Sequence, residues 1–185
     1  MFILGPTVSS LAIAIALAIP TTAKAPAVVS SARDESDARA VIVKFKEKDP
    51  GLAKVFADAQ GYAVFPTVGK GGMVVGAARG KGYVYRRGRL IGRSTLTQVT
   101  IGLQLGGQAY SEVVFFKDAA ALDNFKRGKL KLDAQASAIA LTARASADLA
   151  YRDGVAIVTM AKGGLMYEAS VGGQKFSFKA IGKTS

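Results

Sequence analysis

Residues 61–85 read GYAVFPTVGKGGMVVGAARGKGYVY, and residues 154–178 read GVAIVTMAKGGLMYEASVGGQKFSF. In each, a short apolar run leads into Lys-Gly-Gly, then an apolar triplet, an alanine and a glycine turn. Lys70-Gly71-Gly72-Met73 matches Lys162-Gly163-Gly164-Leu165, and the same offset places Ala77 on Ala169 and Gly80 on Gly172. Two copies this far apart are too few for a stacked-repeat architecture, which needs at least about three units. The reading is two similar β-hairpins within one domain.

Around these stretches the apolar pattern has period two. Val99, Ile101, Leu103 and Leu105 alternate with Thr100, Gly102, Gln104 and Gly106, which predicts a strand with one packed face. Glu112 to Phe116 is apolar after its first residue and predicts a strand buried on both faces. Gly80, Gly82, Gly88 and Gly92 read as punctuation between short strands such as Tyr83 to Tyr85 and Leu90 to Ile91. Lys129 to Leu132 alternates again, and the stretch from Ala134 reads as extended to about Thr142, then as a short helix or loop to Tyr151. Phe176 and Phe178 alternate with Lys175, Ser177 and Lys179 at the end of the chain.

Upstream the period changes. Ala38, Val41, Ile42 and Phe45 recur at helical spacing between Asp34 and Lys46. Asp49-Pro50 reads as the cap and first position of a second helix, with Leu52, Val55, Phe56 and Ala59 on one face and Gly61 as its stop. Asp118 caps a third helix through Phe125, ended by Gly128. The fold class that follows is α+β and β-rich: an antiparallel sheet forming a sandwich or partly closed barrel, with short N-terminal helices and one or two further helices. A single domain spans residues 33–183. Residues 26–32 read as a small-residue linker, and residues 1–25 as a signal peptide or an uncleaved anchor. Phe2 to Ile19 is nearly all apolar, and Ala23-Lys24-Ala25 has the small-x-small form of a cleavage site. An exported protein, periplasmic or secreted, is expected.

Composition excludes much chemistry. The 185 residues contain no Cys and no His, which removes thiol nucleophiles, Cys/His metal sites and histidine bases. Gly92-Arg93-Ser94-Thr95-Leu96 fails the G-x-S-x-G pattern at its last position. The glycines near Lys81 lack the spacing and the Ser/Thr of a phosphate loop. Glu112 and Glu168 are the acidic residues in strand-like segments, and a carboxylate pair between them is the remaining enzymatic alternative. No catalytic residue, metal or cofactor is expected.

Charge points elsewhere. Lys+Arg 25 against Asp+Glu 13 gives a net charge of +12. From Gly61 to Ser111 there is no acid, while Lys70, Arg79, Lys81, Arg86, Arg87, Arg89 and Arg93 supply seven bases. Uncompensated cations favour an anionic partner, such as lipid headgroups or an acidic protein. Lys162, in the second Lys-Gly-Gly turn, joins these residues as a candidate because glycine-rich turns present backbone N–H groups beside a cation. Nucleic acid is not expected, since the aromatic residues occupy core-like strand positions rather than a stacking platform.

Gln60-Gly61-Tyr62-Ala63-Val64-Phe65-Pro66, Lys70-Gly71-Gly72, residues 102–108 (GLQLGGQ) and Lys162-Gly163-Gly164-Leu165-Met166 together resemble the SYLF domain. This lipid-binding family also contains yeast actin-patch regulators. The resemblance runs from about Arg33 to Lys179, and its motifs keep the family's order. It implies a non-enzymatic domain that binds phospholipids, phosphoinositides in eukaryotic members, through basic surface and an N-terminal amphipathic segment. Similar bacterial proteins are exported stand-alone domains. Here Val171-Gly172-Gly173 stands where many relatives carry an acid before the glycine. The family's basic-residue mode of binding maps onto Lys70, Arg86, Arg87, Arg89 and Arg93 as a class. An acidic envelope protein is the alternative partner.

Overall fold

In the computed structural model, which describes residues 27–72, 75–101, 108–130, 132, 137–162 and 169–181, the first Lys-Gly-Gly stretch is one long hairpin. Strand β1 (Gly61–Gly72) pairs antiparallel with β2 (Val75–Arg86), from Gly61 opposite Arg86 to Gly72 opposite Gly76. A tight turn then reverses β2 into β3 (Arg89–Ile101). Its central residues, Arg87 and Gly88, have φ of 46° and 76°, the left-handed pair that matches strand twist in a two-residue hairpin. Gly80, Gly82 and Gly92 therefore do not break the chain into short strands. They lie inside strands of 12 and 13 residues.

Strand β4 (Gln108–Phe116) returns along the other edge of β1. Pro66, which cannot donate to a ladder, sits where both β1 pairings shift register, and Ser111 Oγ donates to its carbonyl at 2.8 Å. The remaining strands are β5 (Ser137–Ala140), β6 (Val155–Ala161), β7 (Ala169–Ser170) and β8 (Lys175–Ala180). They complete an eight-stranded sheet in the order β7-β5-β6-β4-β1-β2-β3-β8. All the pairings are antiparallel except β5 with β6.

The second Lys-Gly-Gly copy does not form the expected hairpin. The edges of β6 are taken by β4 and β5, β7 pairs with β5, and β8 crosses to the far side of the sheet to pair with β3. Local likeness to the first copy is overridden by which edges are free. Lys129 and Leu130 are not strand, and Leu132 is not either; Leu130 and Leu132 instead pack against the core, and the Leu132 carbonyl accepts from Gly173 N–H. The leader, residues 102–107 and residues 163–168 with Glu168 lie outside the described residues.

The sheet is curled but not closed. Phe65 of β1 and Phe176 of β8 have ring centroids 5.7 Å apart. Three strand spacings of about 4.8 Å would separate them by about 14 Å in a flat sheet. The curl depends on residues without side chains. A Cβ on Gly82 would stand 2.5 Å from Phe65 Cδ1 and 2.7 Å from the Val64 carbonyl oxygen, and one on Gly92 would collide with the Phe178 ring. The inner core holds Phe65, Val84, Leu96, Val114, Phe116 and Phe176, and helix α3 (Ala119–Lys126) adds Leu122 and Phe125. Asp118 Oδ1 accepts from Ala121 N–H at 2.9 Å, the expected cap, and Gly128 follows the helix with φ 66°.

The outer face of β1, β4 and β6 is covered by two N-terminal helices, α1 (Ala27–Lys48) and α2 (Leu52–Asp58). Helix α1 begins at Ala27, so the residues read as a linker are largely helical. Ala38, Val41 and Phe45 on α1 and Leu52 and Phe56 on α2 pack against Tyr62, Val64, Tyr85, Val113 and Phe115. Asp49 is not the cap expected of it: α2 starts at Leu52 with Gly51 as its N-cap and no side-chain cap hydrogen bond, and Asp49 is a tether instead. Its carboxylate accepts from Gly51 N–H at 2.9 Å, from Ser146 N–H at 2.6 Å and from Ser146 Oγ at 3.0 Å, tying the helix junction to the loop after β5. Burial pushes this carboxyl's pKa up, but the Ser146 and Gly51 donors outweigh it and hold it below the usual range. Among the described residues no helix is long and apolar enough to cross a membrane.

Two glycines test the curl. Gly82→Ala must displace Phe65 or the β1 backbone, and a loss of about 1–3 kcal/mol in urea unfolding is expected. At Gly69, by contrast, an added Cβ would have nothing within 4 Å. Gly69→Ala should therefore stay within about 0.5 kcal/mol of the parent.

Candidate functional site

Strand alternation sorts the basic residues into separate groups. On β2, Arg79, Lys81 and Tyr83 project to the outer side, and their β3 partners are Thr97, Thr95 and Arg93. On β8, the residues opposite these are Lys175, Ser177 and Lys179. Arg79, Lys81, Arg93, Lys175 and Lys179 are all exposed and share one face. Helices α1 and α2 cover the same side of the sheet only over its other half. Arg93 stands directly opposite Lys179, and the Arg93 guanidinium lies 5.8 Å from the Tyr83 ring centroid. Like charges directly opposite in a ladder are destabilising. None of β1, β2, β3 and β8 contains an acidic residue to offset them.

Lys162 reaches this face from the end of β6, donating from Nζ to Thr67 Oγ1 at 2.6 Å. Beside that contact a cleft of about 460 Å³ is lined by Pro66, Thr67, Arg79, Lys81 and Tyr83, with Asp37 of α1 on its wall. Its cations and hydroxyls are suited to an anion, and one acid limits how deeply charge can accumulate there.

The other sequence candidates lie apart. Arg86, Arg87 and Arg89 surround the β2–β3 turn at the opposite end of the strands, where Arg87 Nε donates to Gln60 Oε1 at 3.3 Å. Lys70 is half-buried opposite Ala78, on the inner side of the sheet, and burial lowers its ammonium pKa. The structure thus unites Arg79, Lys81, Arg93 and Lys162 but not the run that is densest in sequence. Lys175 and Lys179 are absent from the sequence candidates. Their signal is the alternation with Phe176 and Phe178, which puts every lysine of β8 opposite the β3 outer face.

Val99 reverses the expected polarity of its strand. It is 68% exposed, whereas its polar neighbour Gln98 is buried and donates from Nε2 to the Gly172 carbonyl at 2.9 Å. Gln98 is one of several buried polar side chains on the inner side of the sheet. Glu112 of β4 is fully buried there, and Gln174 Nε2 donates to its Oε2 at 3.0 Å. Glu112 Oε1 and Gln174 Oε1 have no hydrogen-bond partner among the described residues. Burial pushes the Glu112 carboxyl up to about 7, against the opposing effect of the Gln174 hydrogen bond. Burial, then the Glu112 charge, also raises the Tyr110 hydroxyl pKa. The Glu112 carboxyl links β4 to the segment before β8 and closes the curl with one hydrogen bond.

Known proteins share part of this sequence. Residues 97–180 match the family model described as Ysc84, a Las17-binding protein actin regulator. The SYLF resemblance is thereby borne out over these residues. The chain is similar to beta cell expansion factor A of Aeromonas veronii, 25% identical over 138 residues, which is 73% of this chain and 52% of the relative. The chain thus spans about half the length of that curated relative.

The buried carboxyl makes stability depend on pH. A carboxyl whose folded pKa is raised binds its proton more tightly in the folded state. Its favourable contribution is complete below the ordinary carboxylate pKa and is lost as pH rises through about 7. Glu112→Gln should remove this dependence. Urea unfolding should find the variant and parent similar at pH 5 and the variant more stable at pH 8, by on the order of 2–3 kcal/mol.

Proposed function

We propose that this chain is a non-enzymatic module of the bacterial cell envelope that docks on anionic phospholipid surfaces through the outer face of β2, β3 and β8. The observation that carries the reading is the cross-strand pair of Arg93 and Lys179, two like charges held opposite each other with Arg79, Lys81 and Lys175 around them. Such an arrangement opposes folding of the free protein and is relieved by an anionic surface. The match to a family linked to lipids and actin regulation supports the reading. The apolar leader and its small-x-small site support export.

Five cations at roughly 1 kcal/mol each near an anionic bilayer are enough for salt-sensitive association. A second reading, docking of an acidic protein on the same face, is favoured by the family description, which names a Las17-binding protein. Detergent separates the two, since a protein partner stays bound when vesicles dissolve.

Vesicle flotation tests the proposal. The Arg93→Ala, Lys175→Ala, Lys179→Ala triple variant should lose about 100-fold in partitioning to anionic vesicles, from about 3 kcal/mol of lost attraction. The triple change of Arg86, Arg87 and Arg89 to Ala should lose much less. Equal binding of the parent to neutral vesicles, or none to either, overturns the reading. Lys179→Glu serves as a folding control. It should raise stability by a few tenths of a kcal/mol, up to about 1, while weakening flotation.

A further inference from the structure

We infer that the protein meets the bilayer with the far half of its bare strand face, and that Val99 is the side chain that enters the acyl region. The inference rests on the lipid-docking reading and adds to it an orientation and a point of insertion. Its occupant is an anionic phospholipid bilayer, chosen by charge complementarity: the four strands β1, β2, β3 and β8 carry no acid, and the exposed face carries Arg79, Lys81, Arg93, Lys175 and Lys179.

Three large apolar side chains are exposed among the described residues: Val43 at 52%, Val99 at 68% and Ile181 at 43%. Val99 lies two residues beyond Thr97 on the cationic face, opposite exposed Ala77 on β2. Arg79 and Lys175, the cross-strand partners of Thr97, are its diagonal neighbours on that side. An apolar side chain without cover, bordered by cations, has the composition of a surface that sits at the headgroup boundary with its apolar part below.

Helix α1 offers the competing surface. It stands on the same side of the sheet as a layer about 10 Å thick, and Val43 points away from its packed residues Val41 and Phe45. Around Val43, however, the exposed positions of α1 include Asp37 and Glu47 as well as Arg39 and Lys44. Mixed charge gives α1 no net attraction comparable to that of the acid-free strands. A helix layer over one half of the face also prevents a flat approach. The bilayer contacts the other half, which holds Val99 near the C-terminal end of β3, and the sheet tilts about the edge of α1.

The chain contains no tryptophan, so single substitutions report position without background from other indoles. Val99→Trp and Val43→Trp are each mixed with anionic vesicles whose acyl chains carry bromine, and flotation is run in parallel. The expected result is a blue shift and at least a two-fold quenching for Val99→Trp, with little change for Val43→Trp. Circular dichroism matching the parent establishes that each variant is folded. Failure of the parent to float with anionic vesicles would remove the lipid reading itself. Flotation of both variants with quenching at position 43 and none at position 99 would overturn the orientation while leaving lipid binding intact. Val99→Asp adds an independent measurement: its partitioning should fall several-fold at constant charge elsewhere, and unchanged partitioning counts against insertion.

Discussion

The architecture depends on an absence of matter. Phe65 and Phe178 can lie over β2 and β3 only because Gly82 and Gly92 have no Cβ where those rings pass. With methyl groups there the strands could not bend so far, and Phe65 could not approach Phe176 across two intervening strands. Everything enclosed by the curl follows from this contact, including α3 against Phe176 and the Gln174 hydrogen bond to Glu112. The outward consequence is equally direct. Bending one face inward leaves the opposite face convex, and the two N-terminal helices cover only part of it.

Local rules are legible in the sequence where the chain obeys them alone. The Asp118 cap, the fully buried run after Glu112 and the apolar faces of α1 and α2 are all consequences of short-range periodicity. Long-range choices are not legible in this way. The repeated Lys-Gly-Gly stretches have similar local preferences, yet only the first is a hairpin, because β4 and β5 already occupy the edges of β6. The glycines read as strand breaks because sequence cannot say which aromatic ring will cross them. Gln98 and Val99 exchange their expected sides, and inside the curl the Gly172 carbonyl accepts from the buried Gln98 amide.

The cationic face follows the same division. Net charge and the absence of acids from Gly61 to Ser111 are plain from the sequence. Adjacency misleads, since Arg86, Arg87 and Arg89 cluster in sequence but gather at a turn. The face is made by cations two apart on β2 and four apart on β8, aligned across strands by a register that only the fold reveals. The cross-strand repulsion of Arg93 and Lys179, together with a buried Glu112, means that the apolar cores must offset two electrostatic costs. Local rules are broken most plainly where the surface has a use for the violation.

The position of β8 in the sheet has a kinetic meaning. The last strand pairs with β3, about eighty residues earlier, and the helices at the start pack on β4 and β6. Neither core can be completed from a contiguous part of the chain. A topology dominated by such distant pairings folds slowly, on the scale of milliseconds to seconds, because loop closure precedes any reward from contact. Until Phe176 and Phe178 are in place, the curl has no outer wall and the apolar side chains of β1 and β3 have no enclosure. The C-terminal segment therefore acts as the completion signal for folding, and a chain lacking it would be a substrate for chaperones or proteases rather than a smaller version of the same domain.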